Sequence, residues 1–446
     1  MSEFILHRQN KKIMPTVTSG QGVYLIDESG KQYLDGSGGA AVSCLGHGHP
    51  AVIDAIKSQL DKVAFAHTSF FTNGPAEELA EYLCTRAPEG FGRVVFAAGG
   101  TESVEAALKI ARQIHMENGE TGRSHIIARR QSYHGASLAT MSVGYHVQRR
   151  KTYAPMLLND MVSHISPAYA YRHQRSDESG EDYGLRTAGE LEEEILKVGA
   201  GKVCAFVAET VVGATIGAVA PPPGYFSEIR RICDKHGVLL ILDEVMSGMG
   251  RTGTLFACEQ DDVIPDLITV AKGLGAGYQP IGATLVATKH ADAIVSGSGL
   301  LEHGHTYMAH AAACAGSLAV QKVIENENLL PQVRARGASL MNILNEKLGQ
   351  HTHVGDIRGR GLFIGVELVA DRESKKTFSP DLGIAGKLKS AAFENGLIVY
   401  PSGGTADGTS GDHVLIAPPF IISENQLDEL ATKFARSLED VMSAIS

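Results

Sequence analysis

Five short apolar runs, each followed at once by polar or glycine-rich residues, constrain this chain more than any other feature. They are RVVFA at 93–97, HIIA at 125–128, VCAFVA at 203–208, VLLIL at 238–242 and LITVA at 267–271. None of them alternates apolar with polar residues. A strand that packs on one face alternates, whereas a strand covered on both faces reads as a continuous apolar run. The five runs therefore predict an α/β fold: a mostly parallel sheet with helices over both faces. Val104, Ala107, Leu108 and Ala111 share one stripe of 102–115 and mark one covering helix.

The two ends read differently. Residues 22–35 form a hairpin pattern turning at Glu28, Ser29 and Gly30, and residues 326–446 alternate long helical stretches with short strands such as LFIGVEL. A chain of 446 residues exceeds what one core usually serves. We expect a large central domain over 61–325, with 1–60 and 326–446 packing together as a smaller α+β domain. The polar, breaker-rich stretches 172–186 and 402–412 read as loops.

Composition excludes several classes. A net charge of −10 argues against nucleic acid as the main partner, because that needs a basic face. Cys44, Cys84, Cys204, Cys233, Cys258 and Cys314 are scattered, without a C-x-x-C pair, as in a reducing compartment. The opening MSEFILHRQNKK has no apolar signal core, and no run reaches the ~20 apolar residues of a membrane span. A cytoplasmic protein with no membrane partner is the expectation.

In an open parallel sheet, ligands collect beyond the carboxyl ends of the strands. Those ends carry Gly99-Gly100-Thr101 opening a helix, Tyr133-His134 within RRQSYHG, then Glu209, Asp243-Glu244 and Lys272. Free N–H groups at a helix start suit a phosphate, and glycine lets the backbone approach it. A carboxylate at the end of an apolar strand needs a cation or strong donors, which a protonated ring nitrogen would supply. A buried lysine tends to lose its proton and can then attack a carbonyl. Taken singly, the glycines also read as a helix cap, Asp243 as an N-cap and Lys272 as a solvent-reaching lysine. Their convergence on one rim favours a pyridoxal-type site. A dinucleotide site lacks the G-x-G-x-x-G pattern. A metal site at His303, His305 and His310, or at His47 and His49, lacks any supporting ligand motif, so no metal is expected.

At these residues the chain resembles the class III (omega-type) aminotransferases. The resemblance runs from YLDGSGGAAVSCLGHGHP at 33–50 to APPFII at 417–422. It rests on GGTESVEAALKIAR, SYHG, LILDEVMSGMGRTG, DLITVAKGLGAGYQPIGA and HGHTYMAH. It implies the aspartate-aminotransferase-like fold (fold type I), with a mostly parallel seven-stranded sheet, and pyridoxal 5'-phosphate as cofactor. Lys272 would be the Schiff-base lysine, Asp243 the partner of the pyridine nitrogen, and Val245 and Tyr133 the groups on the two ring faces. Gly100 and Thr101 would bind the phosphate, Glu209 would lie near the ring oxygen although AET replaces the usual AEP, and His134 would shape the site. Thr306 would reach the phosphate of a neighbouring subunit, implying a homodimer or a tetramer built from it. The partners would be an amino donor and a 2-oxo acid acceptor, in a ping-pong reaction. Decarboxylating dialkylglycine enzymes, aminomutases and racemases share this scaffold and its coenzyme residues.

Two departures bear on substrate. Relatives using ornithine or GABA with 2-oxoglutarate carry an arginine where this chain has Leu415, and its glutamate partner where this chain has Ala214. The mobile arginine of pyruvate-linked relatives has no counterpart in TADGTSGD. With the small segment Gly38-Gly39-Ala40-Ala41, this predicts an amine or omega-amino acid donor and pyruvate as acceptor. Arg149, Arg150 or Arg172 is left as a replacement cation.

Overall fold

A computed structural model describes residues 4–11 and 13–445. Its centre is a seven-stranded sheet in the order Phe91–Ala97, Gly282–Ala287, Leu267–Val270, Leu239–Asp243, Val203–Glu209, His125–Arg129, Val162–Ile165. Six strands run one way. Gly282–Ala287 alone runs against both of its neighbours. All five apolar runs are strands here, and Val203–Glu209, Leu239–Asp243 and Leu267–Val270 are buried at every position. Two strands lie beyond the five runs. Val162–Ile165 is an edge strand with half-buried Ser163 and His164, so it carries no continuous apolar run.

The helix expected at 102–115 spans Gly100–Glu117 and buries Val104, Ala107 and Ala111. Ala107 and Ala111 join Ile126, Val207 and Ile241 in one core on that face of the sheet. A second core fills the other face, with Phe206, Leu240 and Ile268 against Tyr225, Phe226 and Ile229 of the Tyr225–His236 helix.

The hairpin at 22–35 forms from Tyr24–Asp27 and Gln32–Asp35. Its sheet also takes in Leu397–Ile398, paired in parallel with Leu34 and Asp35, so the two ends of the chain meet in one sheet. A further sheet runs Val354–Arg360, Phe363–Leu368, Asp412–Ile416, Tyr400–Gly403. One apolar core unites Val23, Leu34 and Val52 with Leu340, Ile364, Leu430 and Phe434.

The predicted loop at 172–186 is corrected by the structure. A helix of Gly180–Val198 starts inside it, with the Ser179 side chain accepting from the Asp182 N–H and acidic residues in its first turn. The polar residues there cap and face solvent, while Tyr183 and Thr187 are buried. Residues 404–411 do form a loop between two strands. Among the described residues, no helix is long and apolar enough to cross a membrane.

Candidate active site

The carboxyl ends of the parallel strands open into a cavity of about 420 Å³. Its lining includes Gly99, Gly100, Thr101, Tyr133, His134, Glu209, Asp243, Val245 and Lys272. The structure thus brings together every residue expected to hold the coenzyme except Thr306. That residue is exposed, in the stretch before the Ala311–Asn326 helix.

Asp243 and Glu209 end neighbouring strands and face each other in register. Asp243 is held from both oxygens: Oδ1 accepts the Val245 N–H at 3.0 Å, and Oδ2 lies 2.8 Å from His134 Nδ1. His134 Nε2 is buried without a hydrogen-bond partner. Glu209 accepts the N–H groups of Tyr133 at 3.0 Å and Gly213 at 2.9 Å. Burial, with the Asp243 charge adding to it, raises its pKa. Hydrogen bonds to a charged group each contribute about 1.5–3 kcal/mol, enough to hold both carboxylates fixed in a largely apolar floor.

Glu244 departs from the expected convergence. Its carboxylate turns away from the cavity and accepts the N–H groups of Ala257 at 2.6 Å and Cys258 at 2.7 Å and the Thr210 hydroxyl at 3.0 Å. Successive strand residues point to opposite faces, so only one of the Asp243-Glu244 pair can serve the cavity.

Lys272 follows Leu267–Val270 with φ +42°, a left-handed backbone that a non-glycine residue holds only under structural constraint. Its amine makes no hydrogen bond or ion pair with a described residue. Desolvation pushes its pKa down to about 8, against the opposing pull of Asp243 and Glu209. At neutral pH an appreciable fraction of the amine is therefore unprotonated and nucleophilic.

Gly99 caps the Gly100–Glu117 helix without a side chain over its first N–H groups. A Cβ on Gly100 would lie 2.7 Å from Val245 Cγ1, so the close approach of these segments requires glycine. The Thr101 hydroxyl accepts the Ala136 N–H at 3.2 Å. Just after Val245, Met246 lines the cavity and belongs to an apolar cluster with Ala41, Ala214, Phe363 and Leu415, against which Tyr400 packs.

The three candidate arginines separate. Arg150 donates to the carbonyls of Met141, Ser142 and Gly144, and Arg172 is paired with Glu367, so neither faces the cavity. Arg149 lies over the Tyr133 ring, 4.6 Å from its centroid. Sequence reasoning missed Val42, Gln279, Pro280 and Ile281 as lining residues, and also the buried Arg251, which donates to the carbonyls of Leu362 and Pro418. Gln279 and Pro280 stand directly after the lysine segment, which was the available signal.

The family model for class III aminotransferases matches residues 5–438. This chain belongs to the class III aminotransferases. An uncharacterized aminotransferase of Schizosaccharomyces pombe is 45% identical over 97% of this chain and 94% of its own length. Among solved structures, a thermostable (S)-enantioselective omega-transaminase from Thermomicrobium roseum superposes with a TM-score of 0.90 at 36% identity, covering 97% of this chain and 94% of that one. The omega-transaminase of Pseudomonas jessenii in complex with PMP gives 0.91 at 31% identity over 97% and 94%. The fold is fold type I and the coenzyme of this aminotransferase is pyridoxal 5'-phosphate. The site fits that coenzyme: uncapped helix N–H groups for a phosphate, a doubly anchored carboxylate and a partnerless amine line one cavity.

Proposed function

We propose that this class III aminotransferase moves an amino group from an amine or omega-amino acid to a 2-oxo acid, pyruvate foremost, by a ping-pong reaction centred on Lys272. The observation that carries this reading is the buried apolar cluster behind Met246, a lining residue of the cavity: Ala214 and Leu415 are packed together in it. At Leu415 and Ala214 a substrate carboxylate finds no bidentate partner, a contact worth about 1.5–3 kcal/mol, and a donor without a carboxylate on its reacting carbon loses nothing by this. Pyridoxal phosphate supplies the electron sink for the bond broken at the donor's reacting carbon.

Lys272 would hold the coenzyme, and its amine would take the proton from the donor carbon. Its lowered pKa suits a base working near neutrality. Asp243 holds the charge opposite a ring nitrogen, and His134 keeps that carboxylate oriented. Gly100 and Thr101 would hold the phosphate, and Glu209 and Val245 would contact the coenzyme ring. Tyr133, one of whose faces Arg149 covers, offers the other to the ring.

Thr306 completes the site of a second copy. Supporting a homodimer, Phe65, Phe70, Phe71 and Tyr307 are exposed, and Phe65 touches the Tyr307 ring at 5.7 Å. All six cysteines are free, in keeping with a cytoplasmic enzyme.

Two experiments test the reading. A panel of amines, omega-amino acids and glutamate, each with pyruvate and with 2-oxoglutarate, should give the highest kcat/KM for an omega-amine with pyruvate. A clear preference for glutamate with 2-oxoglutarate refutes the substrate assignment. Mixing Lys272→Ala chains with Thr306→Ala chains should restore activity through heterodimers holding one intact site. Heterodimers that form without activity count against the shared site.

A further inference from the structure

A 2-oxo acid brings a carboxylate into a cavity whose lining already holds two, Glu209 and Asp243, and a single cation, Lys272. Lys272 is required at the reacting carbon, so the acceptor's carboxylate needs a second positive group. The arginines around the site are mostly committed. Arg251 donates Nη1 to two backbone carbonyls and, though its Nε and Nη2 have no partner among the described residues, it is fully buried and does not line the cavity. Arg150 donates to backbone carbonyls, and Arg172 and Arg358 pair with Glu367.

Arg149 differs from all of these. It is half-buried and forms no ion pair with a described residue. Its one hydrogen bond is a long contact of 3.4 Å from Nη2 to the Tyr400 hydroxyl. A guanidinium has five N–H donors in a planar fork matched to a carboxylate, so most of its capacity is free. Its position is informative on two counts. It lies on the ring of Tyr133, a lining residue, and so is one aromatic ring away from the cavity. It also contacts Tyr400, which packs against the cluster of Ala214, Leu415 and the lining residue Met246. Its charge is close enough to act on the Lys272 amine, on which it presses as a like charge.

We propose that Arg149 anchors the carboxylate of the 2-oxo acid acceptor and is the residue that makes this site selective for such acceptors over neutral carbonyl compounds. This rests on the aminotransferase reading above. Moving the guanidinium towards the cavity costs only an exposed-type cation–π contact and a weak hydrogen bond, and a bidentate, charge-assisted pair replaces them.

The test uses the coenzyme-loaded enzyme and its Arg149→Gln and Arg149→Lys variants. With one amine donor, kcat/KM is measured for pyruvate and for propanal, a similar carbonyl compound without a carboxylate. Pyruvate binding without donor is measured by calorimetric titration. For Arg149→Gln, kcat/KM for pyruvate should fall at least thirtyfold, mostly through KM, while that for propanal falls threefold or less. Pyruvate affinity should drop in step, and Arg149→Lys should recover part of both. Equal losses for the two acceptors, or no loss for either, overturn the assignment, as does pyruvate binding unaffected by Arg149→Gln or absent from the unsubstituted enzyme. If that enzyme transfers no amino group yet its pyruvate binding depends on Arg149, the reaction reading fails and the anchor stands.

Discussion

On one side of the cavity, each polar group sits within a few residues of a strand end: Gly99–Thr101, Tyr133, His134, Glu209, Asp243 and Lys272. Behind Met246, by contrast, the apolar cluster of Ala41, Ala214, Met246, Tyr400 and Leu415 is assembled from five separated stretches of chain. The first side is a consequence of sheet topology, since parallel strands deliver their next residues to one rim. The second depends on how the C-terminal sheet packs over that rim. The strand-end rim is accordingly polar and tightly hydrogen-bonded, while the cluster behind Met246 is apolar.

If that division is right, damage to the two sides should differ in kind. The largest effect belongs to Lys272→Ala, which removes nucleophile and proton carrier together. Turnover should fall by about 10³-fold or more while the variant still binds coenzyme, read by steady-state kinetics beside the coenzyme absorbance. Residual turnover within tenfold would mean that another group does this work.

On the apolar wall, charge should cost stability rather than chemistry. Leu415→Arg places a cation where Ala214 offers no partner, and should destabilise the fold by about 3–5 kcal/mol in urea unfolding. Adding Ala214→Glu should return part of that loss. A single variant as stable as the parent would show that the wall is open to water.

Gly100→Ala tests the close approach on the coenzyme side. Its Cβ meets Val245, and relief of the clash should cost about 1–3 kcal/mol, read as a lower Tm and weaker coenzyme retention. The smallest effect is in pH. Burial lowers Lys272 from 10.5 to about 8, so the neutral amine grows about tenfold per pH unit below 8 and levels above it. The rate at which coenzyme-free enzyme takes up pyridoxal phosphate should follow that curve. A plateau only near 10.5 would contradict the desolvation.

The same contrast explains what could be read from sequence. Val203–Glu209, Leu239–Asp243 and Leu267–Val270 were legible because strands buried on both faces leave a continuous apolar run, and the polar residues after them were legible by position. Val162–Ile165 was not, because an edge strand with Ser163 and His164 looks like any mixed segment. The helix start inside 172–186 was hidden by its own capping residues. Glu244 looked equivalent to Asp243 until the strand's alternation sent it to the opposite side. Arg149 could be named but not ranked above Arg150 and Arg172, since only the fold shows which arginine lacks a carboxylate or carbonyl partner.

The central claim is that Lys272 is the residue to which the coenzyme is bound. Borohydride treatment of the coenzyme-loaded enzyme, followed by proteolysis and peptide mass mapping, tests it directly. The account predicts one modified peptide, spanning the sequence after Leu267–Val270, with the added mass on Lys272. A stable adduct on any other lysine, or a loaded enzyme that yields none, would contradict it.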